Sequence, residues 1–326
     1  MADFILDFPE GKEIKILQVT DTQIIDSSQC RYPARLCERE MALWVPQNLE
    51  ARMGKYLQGA VERTSPDIIV HTGDFSYGEF DDTGASFEKH IAMMDAFQKP
   101  WCLAFGNHER ETQKGTKYLC DRLEKTDYGL FKDRNGIANR LCEGDGNYSL
   151  LVRRAGKEIA MLYFLDSGVG NAENPAGVYE GQRAWLKEIA NAHKGVPAYA
   201  FFHIPPRCMA EKLKKYGYEK EGFTAYEIPK NADGDFGFVG EWAHDNLYID
   251  YDGSLMKLFE EIGVKRVFTG HIHKHAYTVK CGDIYVTHGM KTGEYDSHDK
   301  AHLGGTLLTI SGADETQTQV ENVFVD

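Results

Sequence analysis

The sequence of 326 residues lacks the features of several specialised protein classes. No apolar stretch approaches the length of a membrane-spanning helix, and the first ten residues have neither the basic start nor the long apolar core of a signal peptide. Internal repeats and low-complexity tracts are also absent. We therefore expect a globular protein of the cytoplasm that does not associate with membranes.

Cysteine is scarce and irregularly placed. The seven cysteines are odd in number and form no CxxC pair, which argues against a thiolate metal site or a disulfide framework. Cys30 and Cys37 lie close enough in sequence to pair, but free thiols in a reducing compartment are the favoured interpretation.

Positive charge is in deficit. Lys and Arg number 37 against 50 Asp and Glu, for a net charge of −13. A field of this sign repels nucleic-acid phosphates, so we expect no long nucleic acid as a partner. A site for a small phosphorylated substrate would have to bring its own positive charge, and a metal ion is the obvious source. The sequence leaves the oligomeric state open.

Short apolar strands that end in Gly, Asp, Asn or His recur along the chain. The first three, Ile14–Val19, Ile68–Val70 and Trp101–Phe105, alternate with helical patterns at Gln47–Arg63 and Ser86–Phe97. This βαβα order predicts a parallel sheet with helices packed on it. The second half of the chain is richer in strand patterns, and a second sheet stacked on the first would bury their apolar faces.

These patterns predict a single α/β domain over residues 1–326, with two stacked mixed β-sheets flanked by helices. Two segments, at about 25–45 and 204–252, do not fit the alternation, and we expect them to be loop insertions with a functional role. In the first, Arg31 and Tyr32 are candidate contacts for the organic part of a substrate, although a solvated loop is the favoured alternative.

Polar side chains with metal-binding chemistry follow five of the predicted strands. They are Asp21, Gln23, Asp74, Asn107, His108, His203, His271 and His273. Loops at the carboxyl ends of parallel strands converge on one crevice, so we expect these residues to meet. Mixed oxygen and nitrogen ligands suit Zn, Mn or Fe ions. His271 and His273 alternate on a strand end, which predicts that both face the same side.

In their order, five short motifs resemble those of the calcineurin-like metallophosphoesterases. The motifs are Asp21-Thr22-Gln23, Gly73-Asp74, Gly106-Asn107-His108-Glu109, Phe202-His203 and Gly270-His271-Ile272-His273. The likeness spans about residues 14 to 290. Gly177-Val178-Tyr179 with Gln182, and the stretch from Gly289 to Gly293, are similar to the branch related to purple acid phosphatases.

The resemblance implies a site for two divalent ions. Metal one would be held by Asp21, Asp74 and His273, with Gln23 where the family usually has His. Metal two would be held by Asp74, Asn107, His203 and His271. A hydroxide bridging the ions would attack the phosphorus of a mono- or diester or a pyrophosphate, and His108 would stabilise the phosphoryl oxygens or protonate the leaving group.

Gln23 is the main departure from this pattern. An amide is a poorer ligand than imidazole, so metal one should bind more weakly, and Mn²⁺ should be tolerated better than Zn²⁺. Our hypothesis is that Gln23 still serves, through its oxygen or through a water. The alternative function is a non-catalytic metal-binding scaffold that binds a protein partner, which Gln23 favours and His108 opposes.

Four other residues have competing interpretations. Arg110 either clamps a phosphate oxygen or pairs with Glu111 at the surface. His71 is predicted to be a buried supporting histidine and His90 to be solvated, and His288 is a candidate for orienting a metal ligand.

Overall fold

Strands form the body of the molecule, and helices cover them. The computed structural model describes residues 1–26, 49–133, 144–168, 176–218, 225–240, 247–312 and 317–326. The strands are β1 (Phe4–Phe8), β2 (Ile14–Val19), β3 (Ile68–His71), β4 (Trp101–Leu103), β5 (Tyr148–Arg154), β6 (Lys157–Phe164), β7 (Ala198–Phe201), β8 (Tyr226–Ile228), β9 (Phe236–Val239), β10 (Val264–Thr269), β11 (His275–Cys281), β12 (Ile284–His288), β13 (Gly304–Ile310) and β14 (Thr318–Phe324). The α-helices are α1 (Leu49–Thr64), α2 (Ala85–Ala96), α3 (Gly115–Leu123), α4 (Glu180–Ala192), α5 (Cys208–Leu213) and α6 (Ser254–Glu261).

The smaller of the two described sheets has the strand order β14-β13-β2-β3-β4. Strands β2, β3 and β4 run parallel, and α1 and α2 connect them, as the βαβα pattern predicts. Strands β13 and β14 complete the sheet in antiparallel fashion. Because both faces of this sheet are covered, its parallel strands are apolar almost throughout.

The larger described sheet has the order β1-β5-β6-β7-β10-β12-β11-β9-β8. Its centre, from β6 to β12, is parallel, and antiparallel pairs flank that centre on both sides. The two parallel blocks, one in each sheet, provide the strand ends from which the site is built.

Two apolar cores hold the layers together. The first joins α1 and α2 to the smaller sheet and that sheet to the larger one, through residues such as Leu57, Val70 and Phe201. The second lies between the larger sheet and α4, α5 and α6, and includes Trp185 and Phe259. The order of layers is therefore helix, sheet, sheet, helix, and the predicted fold class is confirmed.

The segment 204–252 is not the structureless insertion that we expected. Its described part contains α5, a short helical turn at Lys214–Tyr216, and strands β8 and β9. Phe236 to Val239 pair antiparallel with β11, so the segment extends the larger sheet. Strand β1 and helix α3 were not predicted either. Residues 27–48, which include Arg31 and Tyr32 and most of the first predicted insertion, lie outside the described residues.

None of the helices within the described ranges is both long and apolar enough to cross a lipid bilayer.

Candidate metal centre

The predicted site residues follow five strand ends that meet in one pocket. Strands β2, β3 and β4 of the smaller sheet lead to Asp21 and Gln23, to Asp74, and to Asn107 and His108. Strands β7 and β10 of the larger sheet lead to His203, and to His271 and His273. The pocket therefore lies where the ends of both parallel blocks face each other, as expected for this type of sheet.

The backbone at the pocket adopts conformations that side-chain-bearing residues rarely use. Asp21, Gln23, Asp74 and His271 have positive φ angles of 51°, 48°, 54° and 82°. Each such residue costs on the order of 1–3 kcal/mol, and such residues cluster at functional sites. The strand-alternation argument for His271 and His273 is wrong in detail, because β10 ends at Thr269 and a left-handed turn at His271 directs the two rings.

Glycines allow the loops to approach one another closely. A Cβ on Gly106 would lie 2.3 Å from Asp74 Oδ1, and a Cβ on Gly270 would lie 2.0 Å from Thr20 Oγ1. At either position a larger residue would push a ligand loop out of place. The glycines of the motifs are therefore explained by packing around the two aspartates.

We name the first group of ligands cluster A: Asp74, His203 and His271, with Asn107 beside them. Potential ligand atoms of the carboxylate and the two imidazoles all lie within 4.8 Å of one another. His203 Nε2 is 3.2 Å from Asp74 Oδ2 and 3.1 Å from Asn107 Oδ1. His203 Nδ1 donates to the carbonyl of Thr72 at 2.7 Å, which leaves Nε2 as the ligand atom facing the pocket.

We name the second group cluster B: Asp21, Asp74 and His273, again with ligand atoms within 4.8 Å of one another. Asp21 Oδ2 accepts hydrogen bonds from Thr20 Oγ1 at 2.7 Å and from the His271 backbone at 3.1 Å. Asp21 Oδ1 is buried, receives no hydrogen bond from any described residue, and lies 3.3 Å from His273 Nε2. A buried carboxylate oxygen needs a partner, and a cation between Asp21 and His273 fits that need.

The ionisable groups of the pocket strongly shift one another's pKa values. Although burial raises the pKa of Asp21 and Asp74, His203 and its neighbours outweigh that effect and hold both values below the ordinary range. Burial lowers the pKa of His203, but Asp74 and Asp21 outweigh it and raise the value to about 9. Burial lowers the pKa of His271 to about 3, which keeps that imidazole neutral, as a metal ligand must be.

Gln23 lies at cluster B, but its oxygen is directed away from the ligands. Gln23 Oε1 accepts a hydrogen bond from the ammonium group of Lys291 at 2.6 Å. The amide nitrogen instead lies 3.4 Å from His273 Nε2. Since an amide NH₂ group has no lone pair to offer a metal, this orientation disfavours direct ligation by Gln23.

His108 lies at the rim of the pocket, where three residues contact it. Its backbone N–H donates to Asp74 Oδ1 at 3.0 Å, and its Nε2 is 3.8 Å from Asp74 Oδ2. Nδ1 is 2.5 Å from Glu111 Oε2, and the ring stacks on Tyr77 with centroids 4.3 Å apart. Burial lowers the pKa of His108, but Asp74 and Glu111 outweigh it and raise the value to about 10.

Glu109 joins two loops of the site, a role that was not predicted from the sequence. Its buried carboxylate accepts hydrogen bonds from the backbone N–H groups of Gly106 at 2.6 Å, Asp74 at 3.1 Å and Phe75 at 2.5 Å. It thereby ties the loop after β4 to the loop after β3. A carboxylate inside a glycine-containing ligand motif was the available signal for this role.

The structure does not support the Glu111 pair, one of the two interpretations of Arg110, because other carboxylates contact its guanidinium. Its guanidinium contacts Asp145 Oδ2 at 2.9 Å and also the carboxylate of Asp166. The buried carboxylate of Asp166 follows β6 and needs a counter-charge, which Arg110 supplies. Two competing carboxylates disfavour the alternative role of clamping a phosphate.

Three buried histidines make hydrogen bonds to the loops that carry the ligand residues. His71 Nε2 is 2.9 Å from Thr22 Oγ1, in the loop between Asp21 and Gln23. His90 is fully buried and its Nδ1 is 2.6 Å from the carbonyl of Phe75, so its predicted exposure is wrong: it lies on the inner face of α2. His288 Nε2 accepts a hydrogen bond from the backbone of Ile272 at 3.1 Å, between the two ligand histidines.

Comparison with known families agrees with this geometry. The sequence profile of the calcineurin-like phosphoesterases matches residues 14–275. The chain belongs to that family. The relatives of this calcineurin-like phosphoesterase also confirm the predicted resemblance to the purple acid phosphatase-related branch of the family.

Two of these relatives are plant proteins, and one is from yeast. "Probable inactive purple acid phosphatase 28" of Arabidopsis thaliana is 29% identical over 255 residues, which cover 71% of this chain and 58% of the relative. "Phosphatase DCR2" of Saccharomyces cerevisiae is 28% identical over 253 residues, covering 69% and 41%. "Probable inactive purple acid phosphatase 14" of Arabidopsis thaliana is 23% identical and covers 92% and 74%. The chain thus spans about half the length of the first two.

Among solved structures, a dimetal phosphatase from Danio rerio superposes with a TM-score of 0.54 at 13% identity, covering 94% of this chain and 98% of the other. At this identity, the likeness shows that the two chains share a fold. Together, the family and the two ligand clusters identify a metal-binding protein with a hydrolase fold.

Proposed function

We propose that this calcineurin-like phosphoesterase hydrolyses a phosphate mono- or diester with two divalent ions at clusters A and B. The observation that carries the proposal is the convergence of two ligand clusters that share Asp74, with His108 at their rim. Asp21 Oδ1 supports it, because this buried oxygen receives no hydrogen bond within the described part of the chain and fits a cation.

The residues fit Mn, Zn or Fe ions, since both clusters combine carboxylate and imidazole donors. When bound, such ions polarise the phosphoryl oxygens and make water a nucleophile at neutral pH. The protein holds Asp74 between the clusters by two hydrogen bonds. The backbone N–H of His108 donates to the Asp74 carboxylate, and the backbone N–H of Asp74 donates to Glu109.

His108 is the residue that we assign to the reaction itself. Glu111 and Tyr77 fix the direction of its ring, and Nε2 faces the pocket near Asp74. From there an N–H at Nε2 would stabilise charge on the phosphoryl oxygens or donate a proton to the leaving oxygen.

The overall charge narrows the substrate class. With a net charge of −13, the surface repels long polyanions, so we propose a small phosphorylated molecule and not a nucleic acid. The local positive charge of the ions would then offset this repulsion within the pocket.

The test is hydrolysis of a chromogenic mono- and diester by protein loaded with Mn²⁺, Zn²⁺ or Fe. We expect H108A to lower kcat by about 10²–10⁴-fold. H193A is the matched control, because His193 pairs with Glu158 away from the pocket. Equal background rates for wild type and H108A would contradict the proposal.

Two observations favour a second candidate, the non-catalytic metal-binding scaffold. The oxygen of Gln23 is engaged by Lys291, and two of the relatives are named as inactive. A protein that binds metal at cluster A but shows no hydrolysis with any of the three metals would support this candidate over the first.

A further inference from the structure

A lysine lies inside the pocket, beside cluster B. Lys291 is buried, and its backbone is fixed to the end of β2 and the start of β13. Thr292 N–H donates to the carbonyl of Thr20 at 2.9 Å, and Gly304 N–H donates to the carbonyl of Lys291 at 3.0 Å. The backbone of Lys291 is therefore held in place by these strand residues, which limits where its ammonium group can lie.

The ammonium group donates to two oxygens of the loop that carries the ligands. Lys291 Nζ is 2.8 Å from the backbone carbonyl of Asp21 and 2.6 Å from Gln23 Oε1. The bond to Gln23 Oε1 determines the orientation of the Gln23 amide, because the oxygen that could ligate a metal accepts from Lys291 instead. Among the described residues, each cluster has three ligand residues, and only cluster A also has an amide oxygen beside it, that of Asn107.

The same ammonium changes the charge that a second ion would meet. Within the described ranges, the carboxylates of Asp21 and Asp74 face the pocket, and Asp296 Oδ2 lies 3.6 Å from His273 Nδ1 behind cluster B. With Lys291 present, one divalent ion at cluster A balances the charges of Asp21, Asp74 and Asp296, since His108 is paired with Glu111 and His203 loses its proton when it binds the ion. Without Lys291, a net negative charge would remain to attract the second ion.

We infer that Lys291, acting with Gln23, makes the two metal positions unequal: cluster A holds its ion tightly, whereas cluster B binds its ion weakly and exchanges it. This inference rests on the ligand clusters of the proposed function. It revises the hypothesis that Gln23 serves as a ligand, and it identifies Lys291 as the residue that prevents it.

A corollary concerns the simplest attempt at restoring the usual ligand. An imidazole introduced by Q23H would lie beside the Lys291 ammonium, which opposes a second positive centre. We therefore expect Q23H alone to tighten the ion at cluster B less than Q23H does in a K291M background.

The experiment measures Mn²⁺ binding to the full 326-residue chain by equilibrium dialysis, with electron paramagnetic resonance to separate isolated from paired Mn²⁺. For wild type we expect one tightly bound ion and a second only at excess Mn²⁺. K291M should tighten the second ion by about 10–100-fold, the usual range for groups that act on metal ligands.

Two further variants keep the outcome interpretable. K291Q retains a donor for Gln23 Oε1 without the charge, and it replaces K291M if that variant does not fold. K280M removes one positive charge at a site where the ammonium lies over Tyr285, and it should leave both affinities unchanged.

The possible results separate this inference from the proposed function. Two equally tight ions in wild type, or an unchanged second affinity in both Lys291 variants, would overturn the inference and leave the proposed function standing. One tight ion with no hydrolysis of any ester would uphold the inference and overturn the proposed function. No bound ion at cluster A would overturn both.

Discussion

At the scale of single residues, the pocket combines strained backbone with close contacts. The left-handed conformations of Asp21, Gln23, Asp74 and His271 would be lost if their loops could relax. Hydrogen bonds from loop N–H groups to Glu109 and His288, and the close approach of Gly106 to Asp74, prevent that relaxation. The ligands are thus positioned before any ion binds.

The close approach at Gly106 gives a direct test. G106A would place a methyl group 2.3 Å from Asp74 Oδ1, and we expect it to displace the shared carboxylate. The stability cost should be about 1–3 kcal/mol, with loss of metal binding at both clusters. Chemical denaturation and metal analysis provide the measurement. G177A is the matched control, because a Cβ at Gly177 meets nothing within 4 Å. If G106A kept wild-type metal content, Asp74 would not depend on this contact.

The residues with metal-binding chemistry could be found from sequence because each follows an apolar strand within a short motif. The orientation of Gln23 could not be found in this way. It depends on Lys291, which is 268 positions away in the chain and comes into contact only through the pairing of Thr20 with Lys291. Sequence spacing carries no information on such a contact.

At the scale of elements, the strands and helices with clear periodicity were predicted to within a few residues. Strand β2 has the predicted bounds, and α2 lies over Ala85–Ala96, one residue before the predicted Ser86–Phe97. Strands β8 and β9 were missed because they are short and lie between Gly, Asp and Lys residues. They are stabilised by pairing with β11, which is a tertiary effect and not a local one.

The ion pair that joins the turn after β4 to the end of β6 tests how elements are held together. R110M would remove the guanidinium that contacts Asp145 and the buried carboxylate of Asp166. We expect a loss of about 3–5 kcal/mol in the free energy of unfolding, because removing one partner of a buried pair strands the other. Urea denaturation is the measurement.

The matched control for that variant is R122M. Arg122 pairs with Glu88 on half-exposed side chains between α3 and α2, and exposed pairs of this kind contribute about 0–1 kcal/mol. Equal losses in R110M and R122M would contradict the assignment of Arg110 as a structural counter-charge. A normal stability with a raised KM in R110M would instead favour the phosphate clamp.

At the scale of the whole molecule, the layer order followed from the sequence, because alternating helices and strands allow few ways to bury their apolar faces. The face-to-face placement of the two sheets brings loops from both of them to a single pocket. A single sheet would supply only part of either cluster, since cluster A joins Asp74 of the smaller sheet to His203 of the larger.

Metal binding should therefore stabilise the molecule as a whole. We expect the Tm to rise when Mn²⁺ replaces a chelator, because an ion that binds only the folded state contributes about 2.7 kcal/mol at 100 times its Kd. Differential scanning calorimetry is the measurement, and D74N is the control, since it alters the carboxylate common to both clusters. An identical rise in D74N would place the stabilising ion elsewhere.

The pairing of β2 with β13 has a consequence for synthesis of the protein on the ribosome. Ile14 pairs with Ile310, and Gln18 pairs with Thr306, so β2 has to wait for a partner strand that is synthesised much later. Until then the nascent chain carries an apolar strand with an open edge, which is a target for chaperones and a route to aggregation. Premature termination before residue 304 would yield a product that lacks this partner strand, and with it the neighbour that holds the Asp21 loop.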